Sequence, residues 1–322
     1  DTTAYEKAFS QLDLLVTCEL AMTETARLSH YVLPARSGYE SWDGTFFAWT
    51  YPEIFFQMRP PIIKPEGEQL EVSQIMVRLA EGLGLLPDIP EQLYEAAKKD
   101  RLEFGMALMN YLQAEPAAMK TMPFILAKTL GQEMGSANLA ALWGLLNTLP
   151  EHSQENAARV GFTPGLTLGD EIFQALLDHP EGIWVGRCDP EKNLDTLRTG
   201  DGRINIAYPE MAEWIQGIDA ASETAALDES KDWPLILVAG RHMDMNANTL
   251  MRDPSWNKGR RACTLAMNPA DAQKHGLRDG QMVNIATEAG SVDIELEVTG
   301  AVRPGQVMIP HGFGLDYEGE VY

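Results

Sequence analysis

Between residues 291 and 298, Val292, Ile294, Leu296 and Val298 alternate strictly with Ser291, Asp293, Glu295 and Glu297. A period of two puts one set on each face of an extended chain, so this stretch predicts a half-exposed β-strand. Its surroundings share the pattern. Leu235-Ile236-Leu237-Val238-Ala239 reads as a buried strand, and residues 282–287 and Val307-Met308-Ile309 read as two more. Asn268 as N-cap, Pro269 at the first helical position and Gly276 as terminator predict one short helix among them. Short strands separated by Gly and Pro turns predict a small β-barrel over residues 233–322.

A polar, acidic stretch at 223–232 is read as a linker, and the chain before it follows other rules. Residues 12–35 read as strand–helix–strand. Leu12-Asp13-Leu14-Leu15-Val16 would be the first strand, and Tyr31-Val32-Leu33-Pro34 the second. Thr23 is placed to cap the helix between them, with Glu24 in its first turn. Residues 67–84 predict a helix with Leu70, Ile75, Leu79 and Leu83 near one face. Residues 101–149 are helical in pattern, and their methionines (Met106, Met109, Met119, Met122, Met134) read as gap-filling core rather than an adaptable binding surface. The uncharged run at 134–149 is shorter than the ~20 residues a membrane helix needs and reads as a buried helix. A helix at 168–177 and strands at 182–185 and 203–207 complete an α/β domain over residues 1–222.

A net charge of −22 over 322 residues disfavours binding to a phosphate backbone. Any phosphate-bearing ligand must then be held by local donors. Cys18, Cys188 and Cys263 form no CxxC pair, so neither a disulfide framework nor an iron–sulfur or zinc site is legible. Cys18, His30 and Glu40 have no metal-ligand spacing. The chain has no G-x-S-x-G, Walker loop or H-E-x-x-H, which leaves hydrolase and kinase readings without support. It opens Asp1-Thr2-Thr3, without Met or signal peptide, and closes Val321-Tyr322, which suggests a piece of something longer.

Four ordered segments carry a resemblance. The first is Thr23-Glu24-Thr25-Ala26 with Tyr31-Val32-Leu33-Pro34 and Glu40, and the second is Pro65-Glu66-Gly67-Glu68 running into Ile75, Leu79, Ala80 and Gly84. The third is residues 235–241 with Asn248-Thr249. The fourth and longest runs Asn268-Pro269-Ala270-Asp271-Ala272, Gly276 to Gly280, Val283, Gly290, Val302-Arg303-Pro304-Gly305 and Pro310-His311-Gly312. Together they resemble the C-terminal half of the molybdopterin-dinucleotide oxidoreductases of the dimethyl-sulfoxide-reductase family. Ser29-His30 stands where that family has Ala-Asp, and nothing matches between about residues 101 and 162, which reads as a helical insertion.

The resemblance implies a cofactor: molybdopterin guanine dinucleotide, two per molybdenum or tungsten. It implies a double-psi-like barrel, truncated at its C-terminus. The metal ligand and any iron–sulfur cluster would lie in the family's N-terminal half, so the expected partners are that half and an iron–sulfur electron-transfer subunit. The chain alone would not turn over. The residues assigned to the cofactor are Thr23, Glu24, Thr25, Gly240, Arg241, His242, Asn246, Asn248, Thr249, His311 and Gly312. Gly240 would let the chain approach the ligand, and Arg241 would offer a forked donor to phosphate. The alternative is a non-catalytic binding or assembly module on the same barrel. Substrate and compartment are not legible.

Overall fold

The computed structural model describes residues 2–45, 50–226, 233–240, 261, 263–311, 316–317 and 320–321. They divide into two units, residues 9–205 and residues 206–322 together with 1–8.

The first unit opens with the expected strand–helix–strand: β1 (Val16–Glu19), α1 (Glu24–Leu28) and β2 (Tyr31–Pro34). The strands are parallel, Val16 opposite Tyr31 and Glu19 opposite Pro34. The first strand begins at Val16 rather than Leu12, and Leu12 and Leu14 are exposed. Pairing starts where β2 begins, because the Leu15 carbonyl already accepts the His30 N–H at 2.9 Å. The helix expected at 67–84 is α2 (Val72–Gly82). It buries Ile75 and Ala80 but exposes Leu79 and Leu83, the latter lying past the last turn, beside Gly84 at φ +66°.

An unexpected helix, α3 (Glu91–Lys99), precedes those expected at 101–149 and 168–177, which form as α4 (Arg101–Ala114), α5 (Met122–Lys128), α6 (Ala137–Leu146) and α7 (Leu168–Asp178). One core joins them, with Phe104, Ile125, Leu126, Trp143, Ile172 and Phe173 buried at its centre. At Gly169, on α7, a Cβ would meet the Leu146 carbonyl at 2.5 Å, so the approach of α7 to the end of α6 requires glycine. Glu71 ties two helix starts together. Its buried carboxylate accepts from Ser136 Oγ (2.7 Å) and from the N–H of Ala137 (3.0 Å), while its own N–H donates to Gln74 Oε1 (3.3 Å).

Two expectations fail here. Residues 203–207 form no strand, and Ile204 and Ile206 are exposed. An apolar pair spaced by two is too short to specify a ladder without a partner. The expected strand near 182–185 does form, as β4 (Ile183–Arg187), antiparallel to β3 (Glu53–Phe56). Met106, Met109 and Met119 are not core, with exposures of 52%, 45% and 54%. They sit on a second apolar side of α4 and on the turn after it, away from Phe104 and Leu108.

The second unit holds a five-stranded mixed sheet: β5 (Ile236–Gly240), β6 (Thr264–Met267), β7 (Met282–Thr287), β8 (Gly290–Val298) and β9 (Gln306–Pro310), in the order β5-β9-β6-β8-β7. Pairs β5/β9 and β6/β8 are parallel, and β9/β6 and β8/β7 are antiparallel. The alternating segment is β8, with Ile294 and Leu296 buried as expected. Val292 is exposed because that part of β8 pairs with β7 alone. Helix α8 (Pro269–His275) has the expected ends. Asn268 accepts from the Ala270 N–H at 2.9 Å, and Gly276 closes it at φ +67°.

The strand read as buried is an edge strand. Ile236, Leu237 and Val238 are 42%, 41% and 41% exposed, because β5 has a neighbour on one side only among the described residues. The two outer strands nonetheless line one apolar concavity of ≈850 Å³, Leu237 on β5 and Ile285 on β7, with Leu265 and Val307 on strands between them. The sheet is therefore curled, and among the described residues it is a half-barrel of five strands rather than a closed barrel.

Candidate functional site

β5 and β9 run parallel and stop together, Pro310 opposite Gly240. One residue further, the His311 N–H donates to the Gly240 carbonyl at 2.9 Å. The next strand, β6, is antiparallel to β9, so it begins at the end of the sheet where β5 and β9 finish. The stretch between β5 and β6 thus leaves and returns at the end that carries His311. Arg241, His242, Asn246, Asn248 and Thr249 fall in that stretch and lie outside the described residues, as does Gly312.

The opposite end of β9, where the strand begins, is held in place by motif residues. Asp271, buried at the start of α8, accepts the Gly305 N–H at 2.7 Å, and Asn268 Nδ2 donates to the Val302 carbonyl at 2.8 Å. The Asn-Pro-Ala-Asp segment thereby grips the turn that launches β9. These residues are structural clamps for the strand that ends at His311, a role that spacing alone did not reveal.

Gly240 has a reason to be glycine inside the sheet. A Cβ there would meet Met308 Sδ at 2.0 Å and Cγ at 2.4 Å. The space it leaves open is filled by a neighbour's side chain on the adjacent strand. His311 is half-buried.

Arg261 is the residue that sequence reading missed. It donates through Nη1 to both oxygens of Asp279 (3.0 and 3.1 Å) and through Nη2 to the Leu296 carbonyl. Its Nε lies 2.8 Å from Glu295 Oε1, an ion-pair contact without hydrogen-bond alignment. Burial works against its charge, but the bonds it donates to Asp279 and the nearby negative charge of Glu295 outweigh that and raise its pKa. The Val298 N–H and then Arg261 hold the Asp279 carboxyl below its usual range. Arg261 is thus neutralised by the sheet and is not a free phosphate donor. An outward-facing acid on the period-two strand, Glu295, was the signal available for it.

Thr23, Glu24 and Thr25 belong to the other unit. Thr23 Oγ1 accepts the Ala26 N–H at 3.3 Å, so it does cap α1. Glu24 and Thr25 are exposed. No three His, Cys, Asp or Glu among the described residues could hold a metal ion, and no described helix is long and apolar enough to cross a membrane.

Comparison with known proteins agrees with this topology. Residues 235–321 match the family described as the molydopterin dinucleotide binding domain. The chain is 24% identical over 330 residues to a tetrathionate reductase chain of Salmonella typhimurium, covering 94% of this chain and 30% of that protein. It is 25% identical over 338 residues to the trimethylamine-N-oxide reductase of Haemophilus influenzae, covering 99% and 35%. Among solved structures, acetylene hydratase from Pelobacter acetylenicus superposes with a TM-score of 0.54 at 18% identity, over 95% of this chain and 34% of that one, a likeness of fold. The chain spans about a third of the length of these relatives. It is a homologue of the molybdopterin oxidoreductases of the dimethyl-sulfoxide-reductase family and carries their dinucleotide-binding domain.

Proposed function

We propose that the end of the sheet where β5 and β9 stop cradles a molybdopterin guanine dinucleotide, and that the chain is the cofactor-holding part of a molybdenum or tungsten bis-pterin-dinucleotide oxidoreductase. The observation that carries this is the pairing of Gly240 with Pro310 and the bond from the His311 N–H to Gly240. Adjacent strands lie ~4.8 Å apart, so one ligand can reach the residues following both. A dinucleotide needs adjacent chain ends followed by polar residues, and the paired ends of β5 and β9 supply such neighbours.

Arg241 would neutralise phosphate by a forked, permanently charged contact. That local cation is needed in a chain of net charge −22, the more so because Arg261 is already paired. His242, Asn246, Asn248, Thr249, His311 and Gly312 would orient the pterin and nucleotide. On the resemblance alone, Thr23, Glu24 and Thr25 are assigned to the cofactor as well. When bound, the group supplies two-electron redox chemistry at its metal, and the protein supplies orientation and electrostatics. The metal's protein ligand and any iron–sulfur cluster belong to polypeptide outside these 322 residues, which would then be inactive alone.

The test is to produce this chain within its longer natural protein and to measure metal and released pterin per polypeptide. The expected result is one molybdenum or tungsten with two pterins, reduced in an Arg241→Ala/His311→Ala variant of unchanged melting temperature. A longer protein that purifies with neither metal nor pterin, from cells that load other such enzymes, overturns the reading.

A further inference from the structure

We propose that a cavity along α4 is a binding site for a neutral, largely apolar small molecule. This site is independent of the cofactor reading, because it lies in the helical stretch where none of the family's segments falls.

Helix α4 is apolar on two sides. One side packs Phe104 and Leu108 into the core. The other presents Leu102, Met106 and Met109, all exposed, to a cavity of ≈510 Å³ whose far wall includes Met119, Met122 and Trp143. Contiguous apolar surface on a helix ordinarily faces a partner, so this second side is built to be covered. Pockets for small organic ligands run to roughly 300–1,000 Å³, which brackets the volume found here. Methionine walls suit such a site, since unbranched, polarisable side chains adapt to the shape they meet.

The wall also states what charge the occupant carries. Its two charged residues, Arg101 and Asp170, are bonded to each other at 2.6 and 3.2 Å, and Trp143 Nε1 donates to Asp170 at 2.9 Å. Asn147 Nδ2 and Thr148 Oγ1 are spent on carbonyls of α6, Trp143 (2.8 Å) and Gly144 (3.1 Å). With its charges paired and these donors engaged, the cavity favours an uncharged ligand, and the chain's net charge of −22 repels an anion.

The test titrates the longer natural protein that contains this chain with N-phenyl-1-naphthylamine, a neutral fluorophore. Saturable binding at one site per chain is expected. Met109→Glu should weaken it by at least about tenfold, because it puts a charge in the apolar wall. Met109 is exposed, so folding should survive, as the melting temperature would verify. Met106→Glu serves as the second variant, and Met211→Glu, an exposed methionine of the other unit, should change nothing. The anionic 8-anilinonaphthalene-1-sulfonate, of similar ring system, should bind at least about tenfold more weakly. Non-saturable binding, indifference to both glutamates, or equal affinity for the anionic dye each overturn the proposal. So does a dimer in sedimentation that Met109→Glu dissolves, since a second copy would then be the occupant.

Discussion

The backbone N–H of His311 donates to the carbonyl of Gly240 across 2.9 Å, just past the last ladder pair of two parallel strands. Parallel neighbours stop at the same end of a sheet, and here the stop is shared by the two segments that carry most of the assigned cofactor residues. Their mutual placement depends on how closely β5 and β9 pack, and that depends on Gly240 and Met308.

Gly240→Ala tests this packing. The added Cβ would sit 2.0 Å from Met308 Sδ and 2.4 Å from its Cγ, so the methionine or the strand must move. Overpacking of this kind costs about 1–3 kcal/mol. The two residues share one space, so Gly240→Ala/Met308→Ala should cost less than the sum of the single changes. Denaturant midpoints of the second unit measure all three, and strict additivity would contradict the shared-space account.

Glu71 should be the most sensitive buried polar position of the first unit. Its carboxylate accepts from Ser136 Oγ and the Ala137 N–H at the start of a ten-residue helix, and its side chain is buried. Glu71→Ala leaves buried donors unpaired and removes an anion from a helix N-terminus, a loss of about 2–4 kcal/mol. Glu71→Gln keeps acceptor oxygen at one position and should lose less. Equal loss in both variants, read by urea unfolding, would show that volume rather than hydrogen bonding is at stake.

Asp271→Ala should loosen the turn before β9. The buried carboxylate accepts the Gly305 N–H at 2.7 Å, and its removal costs about 1–3 kcal/mol. Hydrogen exchange should rise first at Gly305 and along β9. Unchanged protection there would separate Asp271 from the placement of His311.

The elements that sequence pattern revealed are those set by neighbouring residues. Asn268, Pro269 and Gly276 bracket α8 because capping chemistry acts within one turn, and the alternation at 291–298 specifies a strand by itself. What pattern could not supply was partners. Leu235 to Ala239 looked buried because an apolar run does not say whether a strand is central or at an edge. The methionines of α4 and the turn after it looked like core for the same reason: composition does not say which of two apolar sides finds a neighbour. At the candidate site, Gly240 was read as room for a ligand, whereas the contact that demands glycine comes from Met308, far away in sequence. The clamps from Asp271 to Gly305 and from Arg261 to Asp279 are likewise non-local, although both pairs stand in plain view as residue types.

Acid should weaken the first unit partly through Asp170. Burial pushes its pKa up, but the hydrogen bonds from Arg101 and Trp143 and the charge of Arg101 outweigh that, so the carboxyl titrates below its ordinary value. A depressed folded-state pKa means that the unfolded chain takes up this proton first. The stabilisation is therefore complete above the unfolded value of about 3.9 and disappears as pH falls through the folded one. Asp170→Asn abolishes the titration while keeping the shape. The stability difference between wild type and variant should be level above about pH 5 and shrink below about pH 4. A difference that stayed level down to about pH 2.5 would mean that the Arg101–Asp170 pair does not carry the acid sensitivity.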